Sequence, residues 1–273
     1  MTDHYAVMGN PIAHSKSPRI HAAFASQTQQ DLDYSRILVE PGELKSAVDT
    51  FRSEGGRGLN ITVPFKNDAF AISDSMTERA QSAGAVNTLV LNDDGSIHAD
   101  NTDGVGMVRD LAINHAFTLE GARILVLGAG GAVQGVLLPL LQQHPLEMVI
   151  ANRTVSKAEI LCEKLADVGN VSSSDFKDLE GMQFDGIING TAASLQGEVP
   201  PIPDDVLKPG GWCYDMMYSS EPTAFVRWGL EHGAGQSVDG LGMLVEQAAE
   251  SFALWRNARP DTAPVIEMLR KER

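Results

Sequence analysis

Apolar positions along this chain keep two periods. Short runs that are continuously apolar or alternate in twos suit strands. Between them lie stretches with apolar residues three or four apart, which suit helices. In the first hundred residues the pattern predicts strands at 5–8, 33–39 and 59–63, and Pro64 ends the last because proline cannot donate to a ladder. Ser17-Pro18 opens a helix with Ile20 and Phe24 on one face, and residues 42–52 read as a second helix. Ser75-Met-Thr-Glu78 fits a capping box before a helix at 79–83. Residues 86–92 and 96–100, joined by Asp93-Asp-Gly95, read as a hairpin.

The second half changes character. The run at 123–127 is apolar on both faces and leads into Gly128-Ala-Gly-Gly131. A helix over 133–143, kinked by Pro139, and a strand at 148–151 follow. Strand, glycine turn, helix and strand in this order make the βαβ unit of a dinucleotide fold. Further strands are expected at 185–189 and 212–215, and helices at 105–112, 241–255 and 264–270. The chain therefore reads as α/β with two domains, an N-terminal α/β substrate domain and a Rossmann-like dinucleotide-binding domain, with a cleft between them. The expected division is 1–103 plus 240–273 for the first and 104–239 for the second.

Composition narrows the class. The 273 residues are 43% hydrophobic and suit one large or two modest domains. The net charge of −15 argues against a nucleic-acid partner, whose binding surface is usually basic. It also means that an anionic ligand must be held by local cations and backbone N–H groups against an unfavourable field. Cys162 and Cys213 sit in no CxxC, so neither a disulfide framework nor a metal site is expected. The start lacks a signal-peptide pattern and no apolar run approaches a spanning length. The expectation is a cytoplasmic protein without a membrane partner.

The glycine turn carries its own chemistry. Gly128, Ala129, Gly130, Gly131 and Ala132 can bring backbone close to a pyrophosphate, at a helix N-terminus with unpaired N–H groups. An NAD site commonly places a carboxylate at the end of the next strand. Here stand Asn152-Arg153-Thr154, followed by Lys157. Arg153 can bond a 2′-phosphate, with Asn152, Thr154 and Lys157 adding donors, so NADP is the expected cofactor. Thr154 is also placed to cap the helix that follows.

Five further motifs occur in order: His14-Ser-Lys-Ser-Pro18, Asn60-x-Thr-x-Pro-x-Lys66, Gly84-Ala-Val-Asn-Thr88, Asn101-Thr-Asp-Gly104 and Asp239-Gly-Leu-Gly-Met-Leu-Val-Glu-Gln247. With the glycine turn they resemble the NADP-dependent shikimate dehydrogenase family, over nearly the whole chain. The resemblance implies reversible reduction of 3-dehydroshikimate to shikimate with NADPH, on the route to chorismate and aromatic amino acids. It implies Lys66 as acid and base, with Asp103 beside it. Ser15, Ser17, Asn60, Thr62, Asn87, Tyr218 and Gln247 would line the substrate pocket. Thr191, Met216, Gly240 and Glu78 would join the glycine turn and residues 152–157 around the cofactor. The family often has a basic residue where this chain has Gln134, and Arg where it has Lys157. A monomer or homodimer is expected. Two alternatives remain open here: a quinate/shikimate dehydrogenase with broader substrate or cofactor use, and a non-catalytic NADPH-binding regulator on the same fold.

Overall fold

The computed structural model describes residues 2–272 and divides into two compact units. One runs to Gly106 and takes in Val245–Leu269; the other holds Met107–Leu244.

The first unit is built on a six-stranded mixed sheet. Its elements are β1 (Asp3–Gly9), α1 (Ser17–Thr28), β2 (Leu32–Leu38), α2 (Leu44–Ser53), β3 (Gly56–Ile61), α3 (Lys66–Ala71), β4 (Ser75–Met76), α4 (Glu78–Ala83), β5 (Thr88–Leu91) and β6 (Ile97–Asp100). The order is β2-β1-β3-β5-β6-β4, with β1 parallel to β2 and β3, and β5 antiparallel to both β3 and β6. Ala6, Met8, Leu59, Ile61, Leu89 and Ala99 face α2 in one core. Tyr5 and Val7, one residue out of step, face the other side with Tyr34 and Trp255. That alternation is the pleat of a sheet covered on both faces.

Two expectations are corrected here, and one helix went unexpected. The strand expected at 59–63 starts at Gly56 and ends at Ile61, so Thr62 lies past its end. The cap of α4 is Thr77, whose hydroxyl accepts from the Ala80 N–H at 3.4 Å; Ser75 lies in β4 instead. The pattern gave no sign of α3, a six-residue helix that begins at Lys66, because six residues are too few to show a helical period.

The second unit continues α5 (Asp103–Arg109) into a π-helical turn at Asp110–Asn114, followed by β7 (Arg123–Leu127), α6 (Gly131–Leu141) and β8 (Glu147–Ala151). Then come α7 (Val155–Leu165), β9 (Val171–Ser174), β10 (Phe184–Asn189), β11 (Leu207–Asp215), α8 (Ala224–Glu231) and β12 (Gln236–Asp239). The last helices, α9 (Leu241–Arg256) and α10 (Ala263–Lys271), belong for most of their length to the first unit. All six strands are parallel in the order β12-β11-β10-β7-β8-β9. Read from the other edge this is the 3-2-1-4-5-6 order of a dinucleotide fold. Ile124, Val126, Met148 and Ile150 enter one core, and Leu125, Leu127, Val149 and Ala151 the opposite one. This is why β7 and β8 read as unbroken apolar runs. Pro139 lies in the last turn of α6, and the helix continues through it to Leu141. Among the described residues no helix is long and apolar enough to cross a membrane, and Cys162 and Cys213 form no disulfide.

Candidate active site

Lys66 owes its place to two local features. β3 ends at Ile61, and the chain turns through Val63 and Pro64, where the Phe65 N–H bonds the Thr62 carbonyl at 3.0 Å. Lys66 then opens α3, and its own carbonyl accepts from Val86 N–H at 2.9 Å. Its Nζ stands 2.5 Å from Asp103 Oδ2. Asp103 is 8% exposed, and its Oδ1 accepts from Asn87 Nδ2 at 2.7 Å. The carboxylate thus has one oxygen on an ammonium and the other on an amide, which pins its plane.

Around this pair the first unit gathers a buried polar network. Asn87 Oδ1 accepts from the Thr102 N–H at 2.9 Å, and Asn87 Nδ2 lies 3.3 Å from Gln247 Oε1. Asn60, 6% exposed, accepts the Tyr34 phenol at 2.7 Å and donates to Ser251 Oγ at 3.0 Å. Its amide is therefore committed to protein partners. Ser15 Oγ donates to Ser17 Oγ at 3.2 Å, and Arg36 Nε holds the Ser15 carbonyl at 2.9 Å. Gly9 admits Thr62: a Cβ there would come within 2.4 Å of the Thr62 methyl. Of the sequence-derived substrate residues, Asn60, Asn87, Asp103, Lys66 and Gln247 join one network, and Ser15 with Ser17 forms a pair. Tyr218 lies in the second unit, half-buried after β11.

Sequence reasoning missed Tyr34, Arg36, Thr88, Thr102 and Ser251. Thr88 and Thr102 lay inside motifs already singled out. Tyr34, Arg36 and Ser251 sit in ordinary strand or helix patterns, and nothing local marks them.

The second unit holds the glycine turn where β7 meets α6. Gly128 has φ +105, a backbone that L side chains rarely adopt, and a Cβ there would stand 3.3 Å from the Gly190 backbone. Gly190 N–H in turn bonds the Leu127 carbonyl at 2.8 Å, which ties β10's end to the glycine turn at the point where strand order reverses. Gly130 is the N-cap of α6, and the first N–H bonded within the helix is that of Gln134 to Gly130 O. The N–H groups of 131–133 precede it. A Cβ on Gly130 or Gly131 would meet nothing within 4 Å. Backbone donors at a helix N-terminus that opens on two glycines, Gly130 and Gly131, fit a pyrophosphate. The Ala129 side chain is buried below them and Ala132 is exposed.

At the end of β8, Asn152 Nδ2 donates to the Thr154 carbonyl at 2.8 Å. Arg153, Thr154 and Lys157 are exposed. Thr154 occupies the N-cap of α7 without a side-chain cap bond, so its hydroxyl is not spent on the helix. No carboxylate stands in this group, and its donors suit a phosphate. Thr191 is turned back, its hydroxyl donating to Asn189 Oδ1 at 2.7 Å. Met216 packs over Gly190, where a Cβ would come 2.9 Å from its sulfur. Gly240 is needed by the protein itself, since a Cβ would meet the Met216 carbonyl at 2.4 Å. Glu78 is exposed at the start of α4, in the first unit.

The sequence matches three known families along its length. Residues 7–89 match the shikimate dehydrogenase substrate binding domain, 110–196 the shikimate / quinate 5-dehydrogenase family, and 240–270 the shikimate 5′-dehydrogenase C-terminal domain. The shikimate dehydrogenase (NADP(+)) of Alkalilimnicola ehrlichii is 58% identical over 272 residues, covering 100% of both chains. That of Cellvibrio japonicus is 57% identical over 272 residues, covering 100% of this chain and 98% of the relative. Among solved structures, an Ael1 enzyme from Pseudomonas putida aligns with a TM-score of 0.93 and 47% identity over 98% of each chain. With identity of this order over its whole length, the chain belongs to the NADP-dependent shikimate dehydrogenase family.

Proposed function

We propose that this chain, an NADP-dependent shikimate dehydrogenase by family, interconverts 3-dehydroshikimate and shikimate with Lys66 as the proton-transfer group and Asp103 as its partner. The observation that carries the assignment is the 2.5 Å contact of Lys66 Nζ with Asp103 Oδ2, in a carboxylate fixed on its other side by Asn87. Reducing a ketone requires a hydride at carbon and a proton at oxygen. NADPH, when bound, supplies the hydride. Lys66 donates the proton to the forming alkoxide and takes it back in the reverse direction. An ammonium there also stabilises negative charge as it grows on that oxygen. Asp103 orients the ammonium and accepts from the reacting hydroxyl.

The remaining residues bind. Ser15 and Ser17 turn their hydroxyls to the substrate carboxylate, while Thr62, Asn87, Tyr218 and Gln247 take the ring hydroxyls. Asn60 holds the network beneath them in register. The first unit serves as the substrate domain. The second serves as the cofactor domain, with Gly128–Gly131 and Ala132 for the pyrophosphate, and Asn152, Arg153, Thr154 and Lys157 for the 2′-phosphate. Thr191, Met216, Gly240 and Glu78 complete the cofactor's surroundings.

The test follows absorbance at the nicotinamide band with shikimate or quinate and with NADP or NAD. Shikimate with NADP is expected to dominate; faster turnover of quinate or NAD would overturn the substrate or cofactor assignment. Lys66→Ala should lower kcat by roughly 10²–10⁴ while substrate KM stays close to its original value. Near-normal turnover would remove Lys66 from the mechanism.

A further inference from the structure

We propose that Asp100, clamped by Arg79, is the positioning residue that sets Asp103 against Lys66; this rests on the reading of Lys66 and Asp103 given above. Asp103 is delivered by the turn from the end of β6 to the start of α5. Each of the three N–H groups after Asp100 ends on a side-chain oxygen. Asn101 N–H bonds Asp100 Oδ1 at 2.7 Å, Thr102 N–H bonds Asn87 Oδ1 at 2.9 Å, and Asp103 N–H bonds Asn101 Oδ1 at 3.1 Å. The turn is thus held by side chains, and its shape is only as fixed as they are. Asn101 is itself anchored, with Nδ2 on the Ala85 carbonyl at 3.0 Å.

Asp100 is the charged member of the set and is 1% exposed. A carboxylate so buried keeps its charge only where donors surround it. Arg79 supplies two, Nε to Oδ1 at 2.7 Å and Nη2 to Oδ2 at 2.5 Å, in the fork geometry that lysine cannot reproduce. The Thr77 hydroxyl adds a third at 2.6 Å. Arg79 stands in the first turn of α4, capped by that same Thr77, and its Nη2 also lies 3.5 Å from Glu250 Oε1. Glu250 is paired in turn with Arg259 at 2.6 Å.

Without the fork, the buried carboxylate loses the two donors that fix its plane and turns away. Once it has turned, Oδ1 no longer receives the Asn101 N–H, and the Asn101 amide that fixes Asp103's backbone loses part of its footing. Neither Arg79 nor Asp100 is among the residues assigned to substrate or cofactor, so the loss should fall on the chemical step and not on binding.

The experiment compares Arg79→Lys and Asp100→Asn with the wild type and with Arg259→Ala, which breaks only the outer ion pair. Circular dichroism establishes the folded fraction, and steady-state rates are taken well below the unfolding temperature. Both positioning variants should lose kcat on the order of ten- to a hundredfold, the scale of a small misplacement of reacting groups. Their KM for shikimate and for NADP should stay within about twofold, and Arg259→Ala should match the wild type. Should one of the two variants fail to fold, the other carries the test. A folded variant whose kcat lies within about twofold of wild type, or whose loss appears in KM, overturns the positioning role. A wild type inert toward shikimate, or a Lys66→Ala variant with normal turnover, overturns instead the functional reading on which it rests.

Discussion

Replacing His21 by Phe will remove an acid-sensitive component of stability beside the buried polar network around Asn60. His21 is fully buried, with its ring 4.2 Å from that of Tyr34 and nearly parallel at 4°. Phe24 and Phe252 approach at 6.0 and 6.1 Å. Neither ring nitrogen has a hydrogen-bond partner. Burial pulls the imidazole from 6.5 down to about 3, and the nearby Asn60 amide offsets part of that. The folded state therefore keeps His21 neutral while the unfolded chain protonates it below about 6.5. Its contribution is fully present above that value and shrinks as pH falls toward 3. Between pH 7 and pH 5 the linkage amounts to about 2 kcal/mol. Phe keeps the ring stacking and cannot titrate. Urea unfolding of both proteins at the two pH values, followed by tryptophan fluorescence, measures the effect. The wild type should lose about 2 kcal/mol more than the variant on acidification, and an equal loss in both would refute the reasoning.

Three further outcomes are expected. Gly128→Ala forces a side chain onto a backbone at φ +105 beside Gly190. KM for NADP should rise roughly tenfold, equivalent to about 1.4 kcal/mol, with little change in the KM for shikimate; unchanged cofactor kinetics would disprove it. Arg153→Ala removes the charge-assisted partner proposed for the 2′-phosphate, so kcat/KM with NADP should fall by about ten- to a hundredfold while the NAD rate holds. Equal losses with both cofactors would show that Arg153 does not read the phosphate. Tyr34→Phe strips the donor from the buried Asn60 carbonyl and should cost about 1–3 kcal/mol in urea unfolding, whereas a loss near zero would mean that Asn60 finds another donor.

The strongest local signals were the most legible. The βαβ core was readable because β7 and β8 are buried on both faces and the turn between β7 and α6 needs glycine at 128. The hairpin of β5 and β6 was readable from its turn residues. What failed to show is equally specific. Helix α3 is too short to have a period, β4 is two residues long, and the true cap at Thr77 was masked by a better-looking box starting at Ser75. Pro139 was expected to kink α6, yet in the last turn it costs the helix little continuity.

The sequence by itself determined which side chains are available: a Lys, an Asp, the serine pair, a glycine turn, and an Arg in place of a carboxylate after β8. These lie in contiguous motifs, where chemistry and spacing sit on the same short stretch of chain. Only the tertiary structure decided how they are held. Lys66 and Asp103 are 37 positions apart and meet at 2.5 Å because β3, β5 and β6 pair antiparallel and return Asp103 to the end of β3. Tyr34 and Ser251 reach Asn60, and Arg79 reaches Asp100, through contacts between elements distant in the chain. A hydrogen bond forms between groups that the fold brings together, and a residue's neighbours along the chain do not record who they are.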